Sequence, residues 1–262
     1  MTGLLASVTS AAEAEMAMAG GADIIDLKDP HAGALGALPP SVIREAAQAI
    51  AGRRTVSATA GDLPMQPQIV ADAAARIAGL GVDIVKVGFF CGGDPAACIA
   101  ELARLVVGGT RIVAVLFADT APDFILIDRF RDAGFAGAML DTADKRAGGL
   151  RRHLDDRALG GFVARVRHCG MISGLAGSLS LADIPPLLRL SPDYLGFRGA
   201  LCRAGRTSEL DVERVRAARA AIDRAAGYQE SAARIATAAA GAHRAAHSLA
   251  AGSPSTRSAK ST

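Results

Sequence analysis

Lysine is rare in this chain, and its positions point to chemistry. Of the 29 basic residues only four are lysine, namely Lys28, Lys86, Lys145 and Lys260. A guanidinium stays protonated in proteins, whereas a lysine amine can lose its proton and attack a carbonyl carbon. The first three lysines each stand at or just beyond the end of an apolar, strand-like run. Compositional drift towards Arg is the alternative explanation, but three equivalent placements favour a shared pocket.

The elements that would position these lysines recur along the chain. Eight short apolar runs alternate with segments of helical periodicity, which is typical of βαβ units and a parallel sheet. Eight such units within about 225 residues predict an α/β protein of the (β/α)8 TIM-barrel type. A doubly wound open sheet is the alternative, but no G-x-G-x-x-G follows the first run. The expected strands cover 4–8, 22–28, 55–61, 82–90, 111–119, 135–141, 171–177 and 194–200.

The helices between these runs carry start and stop signals. Ser10 precedes Glu13 by three residues, which predicts a capping box, and most of the later helical patterns stop at a glycine. We therefore expect a single catalytic barrel domain over residues 1–227. The expected later helices cover 40–51, 67–78, 94–107, 121–132, 154–168, 180–190 and 207–227.

Residues 228–262 have a different composition. They begin with an Ala-rich stretch that predicts one helix, and they end in a polar segment that we expect to be disordered. His243 and His247 stand at i, i+4 spacing in the Ala-rich stretch. Without a third ligand nearby, a solvated helix face is a better explanation for them than a metal site. We expect this tail to be dispensable for chemistry.

Composition excludes several classes of protein. Half the residues are apolar but only 4% are aromatic, so the core must consist of Ala, Val, Leu and Ile. A net charge of +3 without a basic block argues against nucleic-acid binding. No apolar run is long enough to span a membrane, the N-terminus lacks a basic signal-peptide region, and the four cysteines form no C-x-x-C pair. We expect a cytoplasmic protein with a small phosphorylated substrate, without nucleic-acid or membrane partners, as a monomer or a homo-oligomer.

Polar residues at the strand ends are the candidates for the active site, because TIM barrels place it there. Asp26 and Lys28 share parity, so both should point into the barrel. A mouth crowded with lysine and aspartate suits Schiff-base chemistry, since a second cation lowers the pKa of an amine and carboxylates move protons. Asp62 and Asp119 are equally well explained as cap or turn residues. The strand-end candidates are Asp26, Lys28, Ser57, Lys86, Asp141 and, just beyond strand six, Lys145.

Glycine-rich segments after the last two strands predict a phosphate site. GLAGSLS at 174–180 offers backbone amides that lead into a helix start, which favours an anion. GFRGALCRAGR at 196–206 offers glycines together with Arg198, Arg203 and Arg206. TIM barrels often bind phosphate through these two loops. We expect Gly177, Ser178, Arg198 and Gly199 to contact the substrate, together with Asp26 and Ser57 at the ends of strands two and three.

Six segments follow one another in the order GGADIIDLKDPHAGALGA (20–37), SATAGDLP (57–64), DIVKVGFF (83–90), MLDTADK (139–145), GLAGS (174–178) and GFRGA (196–200). Together, along residues 4–225, they resemble the (5-formylfuran-3-yl)methyl phosphate synthase family. The resemblance implies a (β/α)8 lyase that joins two glyceraldehyde 3-phosphates, with loss of phosphate and water, for methanofuran-type one-carbon carriers. It implies Lys28 as the Schiff-base lysine, Lys86 as the proton acceptor, Asp141 and Lys145 as pocket residues, and no metal or organic cofactor.

Two other functions remain open at the level of sequence. One is a class I aldolase or isomerase acting on a phosphosugar through Lys28. Formation of an ultraviolet-absorbing furan from a single triose phosphate would separate it from the synthase. The other is a non-catalytic subunit that binds a phosphometabolite and uses the Ala-rich tail as a partner helix. The three pocket lysines argue against this second alternative.

Overall fold

A closed barrel of eight parallel strands forms the protein, as described by a computed structural model for residues 1–227. Each strand pairs with the next along the chain, and β8 pairs with β1. The predicted TIM barrel is therefore confirmed. The strands are β1 (Gly3–Val8), β2 (Ile24–Leu27), β3 (Thr55–Thr59), β4 (Ile84–Phe89), β5 (Ile112–Phe117), β6 (Gly137–Asp141), β7 (Ile172–Leu175) and β8 (Tyr194–Phe197).

Most of the strands end earlier than the apolar runs predicted. β2 ends at Leu27, β7 at Leu175 and β8 at Phe197. The residues that follow continue the apolar pattern but lie in the loops at the top of the barrel. Lys28 and the predicted phosphate residues therefore belong to these loops.

Helices and short 3-10 turns connect the strands. The helices are α1 (Ala11–Ala19), α2 (Pro40–Ile50), α3 (Pro67–Ala78), α4 (Pro95–Val107), α5 (Leu126–Asp132), α6 (Leu150–His153), α7 (Asp156–His168), α8 (Ile184–Leu188) and α9 (212–227). The 3-10 turns cover Ala118–Thr120, Leu181–Asp183 and Gly199–Leu201.

Four helices differ from the predicted ranges by more than one residue. The helix predicted over 180–190 is limited to Ile184–Leu188, because a 3-10 turn over Leu181–Asp183 precedes it. The other three also differ for local reasons. α5 begins five residues late because Ala121, at φ 50°, is left-handed and stops helical continuation there. The predicted helix over 154–168 is preceded by the separate α6, since Leu154 is extended and Asp155 caps α7. α9 begins at residue 212 rather than 207, after a turn that reaches back towards β8.

The capping box predicted at the start of α1 is only half formed. The Ser10 side chain accepts a hydrogen bond from the Glu13 amide at 3.2 Å. The Glu13 carboxylate does not return to Ser10 but accepts from the Thr9 amide at 2.8 Å and the Thr9 hydroxyl at 2.9 Å. The Glu13 carboxylate is also buried, and there it accepts a long-range hydrogen bond from Arg198.

The core has an outer and an inner part. The outer part lies between the helices and the sheet and is mainly aliphatic, although Phe130 and Phe162 are fully buried in it. The inner part fills the lower barrel with side chains such as Leu5, Val113 and Tyr194. The lower barrel is thus largely filled, and a cavity opens at the C-terminal ends of the strands.

The structure bears on two further expectations. None of the helices within residues 1–227 is both long enough and apolar enough to cross a bilayer. The predicted tail over 228–262, with His243 and His247, lies outside the described residues.

Candidate active site

A cavity of about 360 Å³ opens at the C-terminal ends of the strands. Eight of the ten predicted site residues line it, and the two that do not, Asp26 and Ser57, lie beneath it. The eight are Lys28, Lys86, Asp141, Lys145, Gly177, Ser178, Arg198 and Gly199. The rule that active-site residues lie at strand ends therefore placed most of the predicted residues correctly in the cavity wall, although they are far apart in the sequence.

The Asp26 carboxylate lies directly beneath the Lys86 amine. Its Oδ1 accepts hydrogen bonds from Lys86 Nζ at 3.0 Å and from the Ser57 hydroxyl at 2.7 Å. Its Oδ2 accepts from the Ser7 hydroxyl at 2.9 Å. The carboxylate is fully buried and surrounded by these donors. Asp26 thus contacts Lys86, and Ser57 contacts Asp26, beneath the cavity; a contact of either residue with the substrate stays a prediction.

Ser7 is a member of this group that the sequence did not suggest. It lies in β1 opposite Asp26, and its register with β2 pairs the two residues directly. A serine inside a short apolar run carries little signal of its own. The parity of Asp26, extended across the predicted barrel to β1, could have identified it.

Burial and the neighbouring charges shift the pKa of Lys86 in different directions. Burial lowers the pKa of Lys86, the Asp26 carboxylate partly raises it again, and the charge of Lys28 lowers it further, so that the net shift is downward. Burial alone would raise the pKa of Asp26, but Lys86, Lys28 and the Ser57 hydroxyl overcome this and hold it below its usual value. Asp26 therefore stays ionised while Lys86 is prepared to lose its proton.

Asp141, at the end of β6, joins the other two lysines. Its Oδ2 accepts from Lys28 Nζ at 3.4 Å, and its Oδ1 accepts from Lys145 Nζ at 2.5 Å. The Thr142 amide also donates to Oδ1, at 2.8 Å. Both lysines are thus held by one carboxylate, although they come from the loops after β2 and β6.

The charges around Asp141 keep it ionised. Burial opposes ionisation, but Lys145 and Lys28 hold the pKa of Asp141 well below its usual range. Burial lowers the pKa of Lys145, Asp141 partly restores it, and the charges of Lys28 and Arg206 lower it again. Asp141 is consequently a fixed negative charge rather than a proton donor at neutral pH.

The cluster as a whole has more amines than carboxylates. Lys28, Lys86 and Lys145 share two carboxylates, those of Asp26 and Asp141. With every group ionised, the buried cluster would carry an uncompensated positive charge, which is costly in a low-dielectric site. Loss of one amine proton removes this cost. The arrangement therefore favours a neutral amine, which is the reactive form for both nucleophile and base.

Asp62 and Asp119 shape the loops around the cavity. Asp62 accepts hydrogen bonds from the amides of Ala34 at 2.8 Å and Leu35 at 2.6 Å, in the loop that follows Lys28. Asp119 accepts from the amides of Ala143 at 2.8 Å and Asp144 at 2.7 Å, next to Lys145. Of the two explanations left open by the sequence, the structure favours the turn role for both.

The loop after β7 presents free backbone amides. In the described part of the chain, no oxygen accepts the N–H of Gly177 or Ser178. Gly177 has φ 108°, and a Cβ there would lie 3.0 Å from Thr142 Cγ2 and 3.2 Å from the Thr142 amide nitrogen. Only glycine meets both constraints without strain. The loop can offer these amides to an anion, as predicted for the phosphate site.

Arg198 lines the cavity but its guanidinium is already occupied. It donates to the Glu13 carboxylate and to the carbonyl oxygens of Ser7, Arg206 and Ser208. These contacts use all five of its N–H groups. Direct binding of substrate phosphate, the role predicted for Arg198, would require breaking one of them. The structure instead points to Arg198 as the residue that fixes the loop after β8.

Arg206 is the arginine of this loop that faces the cavity with donors to spare. It is half-buried, and its Nη2 donates to the Gly33 carbonyl at 2.9 Å. Arg203, by contrast, is exposed and lies away from the cavity wall. The sequence offered all three arginines of the segment but contained no signal to choose among them.

The histidines, cysteines and acidic residues of the described chain show neither a metal site nor a thiol at the cavity. Among residues 1–227, no group of three or more His, Cys, Asp or Glu side chains is placed to hold a metal ion. The cysteines are unpaired thiols, with Cys98 and Cys202 buried, Cys169 partly buried and Cys91 exposed. None of the four lines the cavity.

Comparison with known protein families gives one family match. The 4-HFC-P synthase family model matches residues 4–219. The abbreviation 4-HFC-P stands for 4-(hydroxymethyl)-2-furancarboxaldehyde phosphate, which is another name for (5-formylfuran-3-yl)methyl phosphate. A protein of Methylorubrum extorquens, provisionally named (5-formylfuran-3-yl)methyl phosphate synthase, is 48% identical over 81% of this chain and 88% of its own length. The (5-formylfuran-3-yl)methyl phosphate synthase of Methanococcus aeolicus is 37% identical over 80% of this chain and 94% of its own length.

Solved structures with a similar backbone are TIM-barrel enzymes of low sequence identity. Phosphoribosyl anthranilate isomerase from Thermus thermophilus matches with a TM-score of 0.61 and 16% identity, over 86% of this chain and 99% of the isomerase. A 3-hexulose-6-phosphate synthase matches with a TM-score of 0.53 and 19% identity, over 83% of this chain and 99% of that enzyme. These likenesses support the fold.

Proposed function

Because this chain belongs to the 4-HFC-P synthase family, we propose that it makes (5-formylfuran-3-yl)methyl phosphate from two molecules of glyceraldehyde 3-phosphate through a lysine Schiff base. The family relationship makes the chain an enzyme of this synthase activity. The substrate, the covalent intermediate and the pathway are the parts we propose. Two triose phosphates contain the atoms of the product plus one phosphate and two waters, so the reaction balances without an oxidant or a reductant.

One observation carries the proposal, namely the pair of buried amines at the cavity floor. Lys28 and Lys86 both line the cavity, and each has its own carboxylate, Asp141 and Asp26 respectively. Burial and the charge of Lys28 lower the pKa of Lys86. A nucleophilic amine next to a second amine that releases its proton readily is what Schiff-base chemistry requires.

Imine formation at Lys28 is the first step. The neutral Lys28 amine attacks the aldehyde carbon of glyceraldehyde 3-phosphate, and loss of water gives the imine. Lys86, in its neutral form, takes a proton from the Lys28 ammonium before the attack and returns it to the carbinolamine hydroxyl, which leaves as water, so that the imine is protonated and Lys86 is neutral again. Asp141 stabilises the positive charge of the protonated imine, since its carboxylate already lies 3.4 Å from Lys28 Nζ.

Proton removal and loss of phosphate follow. The protonated imine withdraws electrons, which makes the hydrogen on C2 acidic. Lys86 removes this proton, and the resulting enamine expels the phosphate from C3 as the C3–O bond breaks. General-base catalysis of this kind contributes about 10²- to 10⁴-fold to a rate. The dephosphorylated three-carbon unit stays on Lys28, ready for coupling.

Coupling with a second triose phosphate completes the carbon skeleton. The free amides after β7 hold a phosphate, and Lys145 can donate to a substrate oxygen while its position is fixed by Asp141. Ring closure, loss of two waters and hydrolysis of the imine then release the furan. We propose that this takes place in the cytoplasm and supplies methanofuran-type one-carbon carriers.

Reductive trapping tests the proposal. The protein is incubated with glyceraldehyde 3-phosphate and borohydride, digested, and mapped by mass spectrometry, while a parallel sample without borohydride is followed for ultraviolet absorbance of the furan. We expect a three-carbon adduct on the Lys28 peptide and a furan that accumulates with equimolar phosphate. An adduct confined to Lys86 or Lys145 would overturn the assignment of the imine lysine. A product that absorbs no ultraviolet light would instead favour a phosphosugar aldolase.

A further inference from the structure

The proposed reaction brings two phosphate groups into one cavity, and only one of them is released. Two phosphates carry like charges and repel strongly at short range in a low-dielectric site. Each therefore needs its own donors. The amide loop at Gly177 and Ser178 provides one set, and the second set must come from elsewhere in the wall.

Among the described residues, Arg206 is the remaining cation of the wall that is free to bind an anion. It lines the cavity, and it uses one N–H to contact the Gly33 carbonyl at 2.9 Å. Within residues 1–227, its other four N–H groups have no acceptor. A half-buried guanidinium with unused donors facing a cavity is suited to a phosphate, which it can contact through two parallel hydrogen bonds.

The loop after β8 holds Arg206 in position through its backbone. Arg198 Nε donates to the Arg206 carbonyl at 2.9 Å, and Arg198 is itself anchored by the buried Glu13 carboxylate. Arg203 lies three residues away in the same loop but is 68% exposed and approaches only Glu209 and Asp211. The fold thus fixes the position of Arg206, unlike that of an exposed arginine such as Arg203.

The contact of Arg206 with Gly33 links it to the loop that carries Lys28. Gly33 follows Lys28 by five residues, and Asp62 fixes that loop by accepting the amides of Ala34 and Leu35. Arg206 therefore stands over the segment where the first triose would be bound covalently. The amide loop after β7 lies next to the start of α6, since the Gly177 carbonyl accepts from the Leu150 amide at 2.9 Å, and next to the end of β6, since a Cβ at Gly177 would lie 3.3 Å from the Asp141 carbonyl carbon.

We infer that Arg206 binds the phosphate of the triose attached to Lys28, which is the phosphate that leaves. This inference rests on the proposed function. The guanidinium would orient the C3–O bond for elimination and stabilise the charge that develops on the departing phosphate. The second triose phosphate, whose phosphate is retained in the product, would use the amide loop after β7.

Trapping experiments with and without the substrate phosphate test this assignment. Arg206→Gln is compared with wild type and with the matched control Arg203→Gln. The readout is the concentration of glyceraldehyde 3-phosphate that gives half-maximal borohydride labelling. We expect a rise of about 10- to 100-fold for Arg206→Gln, as for loss of a charge-assisted contact, and little change for Arg203→Gln. Unphosphorylated glyceraldehyde should label all three proteins at similar concentrations.

Two further measurements address elimination and folding. The fraction of trapped adduct that still carries phosphate should be larger in Arg206→Gln than in wild type, because loss of phosphate is slowed. Methylguanidinium added to Arg206→Ala should restore part of the phosphate-release rate, which a misfolded protein would not allow. Failure of methylguanidinium to do so would count against the assignment.

The outcomes separate the inference from the proposed function. An unchanged half-maximal concentration in Arg206→Gln, or an equal rise with glyceraldehyde and its phosphate, would overturn the role of Arg206. If Arg206→Gln is labelled normally and loses only furan formation, Arg206 binds the retained phosphate. This result would also overturn the inference. If wild type itself yields neither adduct nor furan, the proposed function fails before Arg206 is considered.

Discussion

Lys86 donates a hydrogen bond to Asp26 at 3.0 Å, and the two side chains are 2% and 0% exposed. Lys86 lines the cavity and Asp26 lies beneath it, so we expect Asp26 to influence the chemistry through Lys86. Buried ion pairs add little to stability in general, because the cost of desolvation offsets their attraction. The value of this pair therefore lies in setting the protonation of Lys86, which the following predictions use.

Asp26→Asn should shift the pH dependence of furan formation to lower pH. If neutral Lys86 is the base, kcat/KM rises with pH through the pKa of Lys86. The Asp26 carboxylate raises that pKa, so its removal lowers the midpoint of the rise. The profile of kcat/KM against pH measures the shift. Ser7→Ala, which removes a hydrogen bond to Asp26 but keeps the charge, serves as the control, and a midpoint that moves upward would contradict the role of Lys86.

Lys28→Arg should abolish turnover while leaving the fold intact. Arginine preserves the positive charge that helps to lower the pKa of Lys86, but it cannot form an imine. We expect no furan and no borohydride adduct, with a thermal unfolding midpoint near that of wild type. Residual labelling at another lysine together with measurable turnover would show that the imine forms elsewhere.

Asp141→Asn should slow the reaction by about 10²-fold, a typical cost of misplacing reacting groups. The pKa of Asp141 is held well below its usual range, so it acts as an ionised anchor for Lys28 and Lys145 rather than as an acid. Asp141→Glu, which keeps the charge, should retain more activity than Asp141→Asn. Steady-state rates of furan formation measure both. Full activity in Asp141→Asn would remove any role for this charge.

Glu13→Gln should destabilise the barrel by about 3 kcal/mol, because it leaves the buried Arg198 charge without its partner. Burial raises the pKa of Glu13, but Arg198 and the amides of Leu210 and Thr9 outweigh it and hold the pKa below 4.5. The stabilisation is therefore fully present above pH 4.5 and is lost as the pH falls through the folded-state pKa. Urea unfolding at neutral and acidic pH measures this, and the difference from wild type should shrink in acid.

A matched control for this prediction is Glu101→Gln. Glu101 pairs with Arg104 one helical turn away, and the arginine side chain is 77% exposed. Exposed pairs of this kind contribute at most about 1 kcal/mol. Equal effects of the two substitutions would mean that the Glu13–Arg198 pair does not secure the loop after β8.

A chain that ends at Gly227 should make the furan at close to the full-length rate, with or without a chelator. The family match ends at residue 219, and the barrel is complete within the described residues. A chain that ends at residue 211 should fail to fold stably, because it lacks Val215, Ala218 and Ile222, which are buried against the barrel. A large loss of rate in the longer chain would assign a catalytic or assembly role to residues 228–262.

The fold and the grouping of Lys28 and Lys86 in one cavity were accessible from the sequence. Regular alternation of apolar runs and helical segments specifies a βα repeat, and eight repeats lead to closure. Parallel strands gather their C-terminal ends at one face, so the lysines at those ends, Lys28 and Lys86, could be assigned to a common pocket without coordinates. Helix boundaries were less accessible, since a single residue such as Ala121 in a left-handed conformation moves a helix start by several positions.

The tertiary structure decided which polar side chains face the cavity and which are hydrogen-bonded inside the protein. Asp26 and Ser57 satisfy every pattern for substrate ligands, yet the barrel register places them below Lys86. Arg198 and Arg206 lie in one short glycine-rich segment. The Arg198 guanidinium is paired with Glu13, 185 residues away in the sequence, whereas Arg206 faces the cavity.

The physical reason for this difference is the range of the interactions. Strand and helix formation, and the edge at which strands end, depend on neighbours a few residues apart, and the sequence displays those neighbours directly. Whether a polar side chain reaches a ligand or is satisfied internally depends on partners brought together by closure of the barrel. Burial then makes every unsatisfied charge costly, so the fold assigns each donor to the nearest acceptor, and only the groups that remain are free for function.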